Sequence, residues 1–180
     1  MPISSGTDQA LQNIINAMGP WWNVMEDVFF LVGLIIVGGA LMSLGKSGRQ
    51  GVGVSKFAIF SFIAGILMLS LPAWMDTLSQ TAFQQNAPSA LTLHPSSNGS
   101  GEYATIVTFA FDVLMLVGLY ATGRSLLLFR DSAEDRSKTG PAIWHLIGGV
   151  VALNMKTMLT SLALTVGGLF ETAVLKIIGG

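Results

Sequence analysis

The chain has 180 residues, no cysteine, nine Lys and Arg against ten Asp and Glu, and a formal net charge of −1. Charged residues make up 11% and apolar residues 51%, with a mean hydropathy of +0.63, whereas soluble domains carry roughly a quarter charged residues. These values exclude a disordered chain, a disulfide-stapled module and a thiolate metal site, weigh against direct nucleic-acid binding, and point to an integral membrane protein.

The first 25 residues hold no Lys or Arg and no leading apolar run, so no signal peptide is expected. Leu11, Ile14, Ile15 and Met18 recur at helical spacing, which predicts an interfacial helix over residues 8–18 ending at Gly19-Pro20. A spanning helix needs about 20 mostly apolar residues. Val28–Gly45 and Phe57–Met75 meet that requirement without a charge. A third span covers about Phe109–Phe129 with Asp112 and Arg124 inside it, and a fourth runs from about Ala142 to Leu159 with His145 and Lys156. The expected fold is all-α and membrane-integral, with four transmembrane helices in two hairpins. An outer-face amphipathic segment (1–23) precedes hairpin 1 (24–81). A flexible polar loop (82–103), hairpin 2 (104–161) and an apolar tail (162–180) follow. The N- and C-terminal segments are expected to lie at the interface as helices. Asn98-Gly99-Ser100 in the loop fits the glycosylation pattern and is read as chance.

Seven of the nine basic residues fall between Lys46 and Lys56 or between Arg124 and Lys138. The positive-inside rule then makes both short loops cytoplasmic, with both termini and the long loop outside. Trp21, Trp22 and Trp74 are expected to form an outer aromatic belt. Lys46, Arg49, Lys56, Arg130, Arg136 and Lys138 become candidates for facing anionic lipid or DNA.

The strongest signal is an internal repeat. Asp27–Leu44 matches Asp112–Phe129 at an offset of 85, with eight identities over 18 positions, including Gly33 with Gly118 and Gly38 with Gly123. The second helices continue at an offset of 84, pairing Gly65 with Gly149 and Leu69 with Leu153. Each unit is one hairpin, so the two repeats run parallel. Gly33, Gly38, Gly65, Gly118, Gly123, Gly148 and Gly149 are read as helix-packing positions, and Asn154 as a hydrogen-bond donor between helices. As antiparallel neighbours, the third and fourth helices bring Asp112 and Lys156 to similar depth, which makes them a candidate ion pair; the alternative is that each snorkels to the headgroups.

Catalytic and metal patterns such as HExxH, GxSxG and the P-loop do not occur, and neither Asp27 nor Asp112 carries the GxGD setting of an intramembrane protease. No enzyme activity, catalytic residue, metal or cofactor is expected, a bound phospholipid apart.

The segment Trp144-His145-Leu146-Ile147-Gly148-Gly149-Val150-Val151-Ala152-Leu153-Asn154-Met155 resembles the His-x-x-Gly-Gly-x-x-Ala-x-Asn segment of the IcmC/DotE (TraQ-like) small inner-membrane proteins. Those proteins belong to type IVB secretion and IncI-type conjugation systems. Gly33, Gly38, Ile63-Ala64-Gly65 and Leu71-Pro72 are similar to that family too, and the likeness spans about Trp22 to Met158. The resemblance implies a structural subunit of a bacterial inner-membrane export machine for DNA–protein complexes or effectors. It would work among other secretion-system subunits, in the phospholipid bilayer, as a homo- or hetero-oligomer. A rival reading is a tandem pilin-like subunit of an extracellular pilus, its basic loops lining the lumen and meeting nucleic acid there. A small channel or carrier is the third.

Overall fold

The computed structural model describes residues 5–84 and 102–178. Within them lie seven α-helices and one 3-10 turn, and no strand. The order is α1 (Ser5–Gln50), α2 (Lys56–Leu69), α3 (Leu71–Phe83), α4 (Glu102–Asp131), the 3-10 turn Arg136–Lys138, α5 (Thr139–Leu153), α6 (Met155–Val166) and α7 (Gly168–Ile178). Most of the loop expected over 82–103, with its glycosylation pattern and His94, lies outside the described residues.

α1 is one helix of 46 residues with Pro20 inside it. The separate interfacial helix ending at Gly19-Pro20 is therefore not formed. A proline inside a helix removes one hydrogen bond and costs about 3 kcal/mol. The offsetting contribution is visible in Ile15, Trp22 and Phe29, seven residues apart on one face and 5%, 1% and 8% exposed. In a bilayer such burial contributes through van der Waals packing rather than through removal from water. Their burial also removes Trp22 from the expected aromatic belt. Its ring sits in the core and its Nε1 donates to Glu26 Oε1 at 2.9 Å. Trp21, one residue back and facing outward, stays exposed.

Among the described residues, two helices are long and apolar enough to cross a membrane, Asn13–Gln50 and Ile106–Asp131. The other two expected spans are broken. α2 and α3 meet at 84°, and the segments Arg136–Leu153 and Met155–Val166 meet at 73°. Counting each bent pair as one span brings the total to four. α2 alone, with 14 residues, is about 21 Å long, short of the ~30 Å hydrocarbon layer.

The first break follows from Pro72. Its missing N–H and its ring take away the bond to the Met68 carbonyl, four residues back, and Ser70 takes φ −107°, ψ 25°. Trp74 reaches back across the bend, and its Nε1 donates to the freed Leu67 carbonyl at 2.6 Å. The second break has no proline but the same backbone: Asn154 has φ −106°, ψ 19°. Ser70 and Asn154 are 84 residues apart, the repeat offset itself. Each repeat is thus a long helix, a basic turn, a short helix and a sharply bent third helix.

The core joins the two repeats. Trp22, Phe29, Met68, Leu71 and Met75 of the first pack against Leu119, Leu126 and Leu153 of the second. α4 lies against both α1 and α2, and α7 packs on α6 and α4. The tail beyond Val166 is helical, set off from α6 by Gly167 and Gly168, both at φ +67°. That left-handed backbone is open to glycine at little cost.

Candidate functional site

The two hairpins are closed by the same glycine crossing. A methyl group added to Gly33 would lie 2.9 Å from Met68 Cβ and 3.0 Å from the Gly65 carbonyl oxygen. On Gly118 it would lie 2.8 Å from the Gly149 carbonyl oxygen. Real Cβ atoms do not approach backbone that closely, so all four positions need glycine for the helices to touch. Thr122 seals the second crossing. It is fully buried against Gly149, and its hydroxyl donates to the Gly118 carbonyl at 2.8 Å.

The remaining packing glycines diverge. A side chain on Gly123 would collide with the Phe29 ring, whereas nothing lies within 4 Å of a Cβ built on Gly38 or Gly148. Gly38 and Gly148 therefore make no close helix approach within this chain.

Asn154 is 4% exposed. Its Nδ2 donates to Ser79 Oγ and to the Val150 carbonyl, both at 2.9 Å. The first bond ties the α5–α6 break to α3 of the other repeat. The second goes to a carbonyl that also accepts the Asn154 backbone N–H, at 3.2 Å. Ser79 itself carries no sequence signal beyond its place four residues after Met75 on the buried side of α3.

The candidate pair Asp112–Lys156 is not formed. Asp112 is 6% exposed, with Oδ2 lacking a hydrogen-bond partner, and Lys156 is exposed. Equal depth assumed a straight fourth helix. The bend of 73° at Asn154 comes two residues before Lys156 and takes it off the line of α5.

At the basic end, two of the six candidate cations are engaged within the fold. Asp131 binds Arg130 at 2.8 Å and Lys138 at 3.3 Å. The Arg130 guanidinium also lies 5.6 Å above the Phe57 ring, and Phe60 stacks on Phe129 at 5.0 Å. These contacts lock the ends of both hairpins together. Lys46, Arg49, Lys56 and Arg136 are exposed. In the connecting turn, the Ser137 hydroxyl and amide donate to Asp135, which holds its carboxyl below the usual carboxylate range.

Beside Arg130 a cleft of about 320 Å³ opens between α1 and α2, walled by Ile36, Ala40, Ser43, Phe57 and Ser61. The Ser61 hydroxyl is buried there without a partner. The walls are apolar apart from Ser43, Ser61 and the Arg130 guanidinium. His145 Nδ1 lies 2.8 Å from the Pro141 carbonyl oxygen. Among the described residues no group of three or more His, Cys, Asp and Glu is placed to hold a metal ion.

No protein-family model, curated protein or solved structure matches the chain. The geometry and the residues carry the functional reading.

Proposed function

We propose that this chain is a structural membrane subunit whose work is assembly, serving the inner-membrane part of a type IVB secretion or conjugation machine. One observation carries the reading. Two of the residues it shares with the IcmC/DotE (TraQ-like) segment serve packing: Gly149 closes hairpin 2 on Gly118, and Asn154 joins the repeats through Ser79. The exposed Lys46, Arg49, Lys56 and Arg136 face anionic headgroups on the cytoplasmic side, and phospholipid occupies the cleft beside Arg130. Both termini are then periplasmic.

A second reading is favoured by one feature, the packing of two like hairpins side by side in one chain. That arrangement suits a tandem pilin-like subunit whose basic turns line a lumen and offset the charge of transported DNA. Fractionation of cells carrying a tagged copy separates the two. The assembly subunit is expected in the inner membrane, within a large detergent-stable complex holding other secretion subunits. Recovery mainly in sheared surface filaments would overturn it in favour of the pilin. Ion flux from liposomes holding the pure chain would instead make it a channel or carrier.

A further inference from the structure

One sequence stripe occurs twice in this chain and has two opposite fates. On α1 it is Asp27, Leu34, Gly38 and Leu41; on α4 the same residues recur as Asp112, Leu119, Gly123 and Leu126. At 3.6 residues per turn each quartet lies along one helix face. On α4 that face is sealed by the first repeat. Leu119 is 0% and Leu126 5% exposed, and the Phe29 ring covers Gly123. On α1 the identical face is bare. Leu34 is 53% and Leu41 52% exposed, and the space over Gly38 is empty to 4 Å.

The residue that does the sealing has its own counterpart. Phe29 corresponds to Leu114, nine residues before Gly123 and so two and a half turns away, on the opposite side of α4. Leu114 is 38% exposed. Each long helix therefore has a hole on one side and a knob on the other. Inside the chain one knob fills one hole, and one of each is left over.

We propose that a second copy of this chain completes the series: Leu114 of one copy seats on Gly38 of the next, repeating the Phe29–Gly123 contact between molecules. A second contact of the internal interface extends in the same direction. Phe60 stacks on Phe129 within the chain. Their repeat counterparts are Trp144, 73% exposed, and Leu44, which the same docking brings together between copies. The new interface is head-to-tail, with different surfaces on the two partners, and it propagates into a ring or a filament. It rests on the chain being embedded in a membrane and is independent of the secretion assignment.

The absence of native cysteine makes the test direct. Two differently tagged chains, one Gly38→Cys and one Leu114→Cys, are co-expressed, and membranes are treated with a short bis-maleimide. Phe29→Cys/Gly123→Cys in one chain calibrates the reach of the reagent. The expected result is a mixed-tag dimer from the Gly38 and Leu114 pair, and a ladder of multimers from the chain carrying both substitutions. Gly38→Leu supplies a second readout. A Cβ at this position meets nothing within 4 Å in the monomer, so the variant is expected to keep its helicity and melting temperature while its mass in detergent falls to the 19.0 kDa of one chain plus bound detergent. No mixed dimer where the calibrating pair reacts, or an assembly unchanged by Gly38→Leu, would overturn the proposal and leave lipid as the cover of this face.

Discussion

Glycine at a helix crossing is a statement about a single missing methyl group. Gly65 and Gly149 each face the carbonyl of the glycine opposite, and backbone cannot move aside as a side chain tip can. Gly149→Val is expected to destabilise hairpin 2 by about 1–3 kcal/mol or more through overpacking. Thermal melting in detergent would show this as a drop of several degrees. Gly148→Ala, one residue away and facing open space, is expected to leave the melting temperature unchanged or raise it, because alanine is the better helix former by about 1 kcal/mol. Equal losses from the two substitutions would mean that the crossing does not lie where the structure puts it. The pair is also a measure of what the sequence discloses. Both glycines stand in the His145–Asn154 segment and both look like packing residues, yet only one meets a partner. Pattern alone identifies the seam, and the helix rotation that selects one residue from it depends on contacts with α4. Asn154 adds a polar case. Asn154→Leu strands the buried Ser79 hydroxyl, and hydrogen bonds of this kind in membrane proteins contribute about 0.6–2 kcal/mol. A double-mutant cycle with Ser79→Ala is expected to recover most of that loss as coupling between the two sites.

At the level of elements, the apolar runs marked the long helices, and their ends were placed by the basic turns. What the runs concealed was the pair of breaks. Ser70 and Asn154 sit inside otherwise apolar stretches, where composition reads straight through them. The aligned offset shows that the two positions correspond, yet only Pro72 announces a bend. α1 errs the other way, since Pro20 reads as a stop and the helix continues. Its neighbours Ile15, Trp22 and Phe29 are held by the core, so the chain tolerates the lost hydrogen bond. Pro20→Ala restores a donor and removes a ring clash. It is expected to raise the melting temperature by several degrees, an effect of up to about 3 kcal/mol. No change would show that the helix is already relaxed around the proline. The basic turns make a milder claim. Asp131 is part-exposed and holds two cations, so Asp131→Asn is expected to cost no more than about 1 kcal/mol. Its larger effect is on charge, since it frees Arg130 and Lys138 and is expected to strengthen retention of anionic over zwitterionic lipid by the chain purified in detergent.

For the whole molecule, the repeat visible in the sequence is also the plan of the core. Residues from both halves share one cluster, so the halves should hold together without a covalent link. Cutting at a protease site placed within residues 85–101 is expected to leave two fragments that migrate together in mild detergent. Fragments that part at once would show that the halves meet only through their tether. Why one copy of the shared stripe is covered and the other bare could not be read from the sequence, because eight identities make the two copies equivalent until the fold places them differently.

α1 carries one consequence of a mechanical kind. At 1.5 Å per residue its 46 residues form a rod about 69 Å long, more than twice the depth of a hydrocarbon layer. Such a rod overhangs the bilayer, and its grip on the rest of the molecule runs from Ile15 to Ala40, well short of its C-terminal end. A helix held at one part and free at the other is a lever. A small tilt imposed on its far end by a neighbouring protein would turn the whole helix about that grip and be felt at the glycine seam with α2. Where the helix crosses a bilayer, it is a single stiff element reaching from one side to the other.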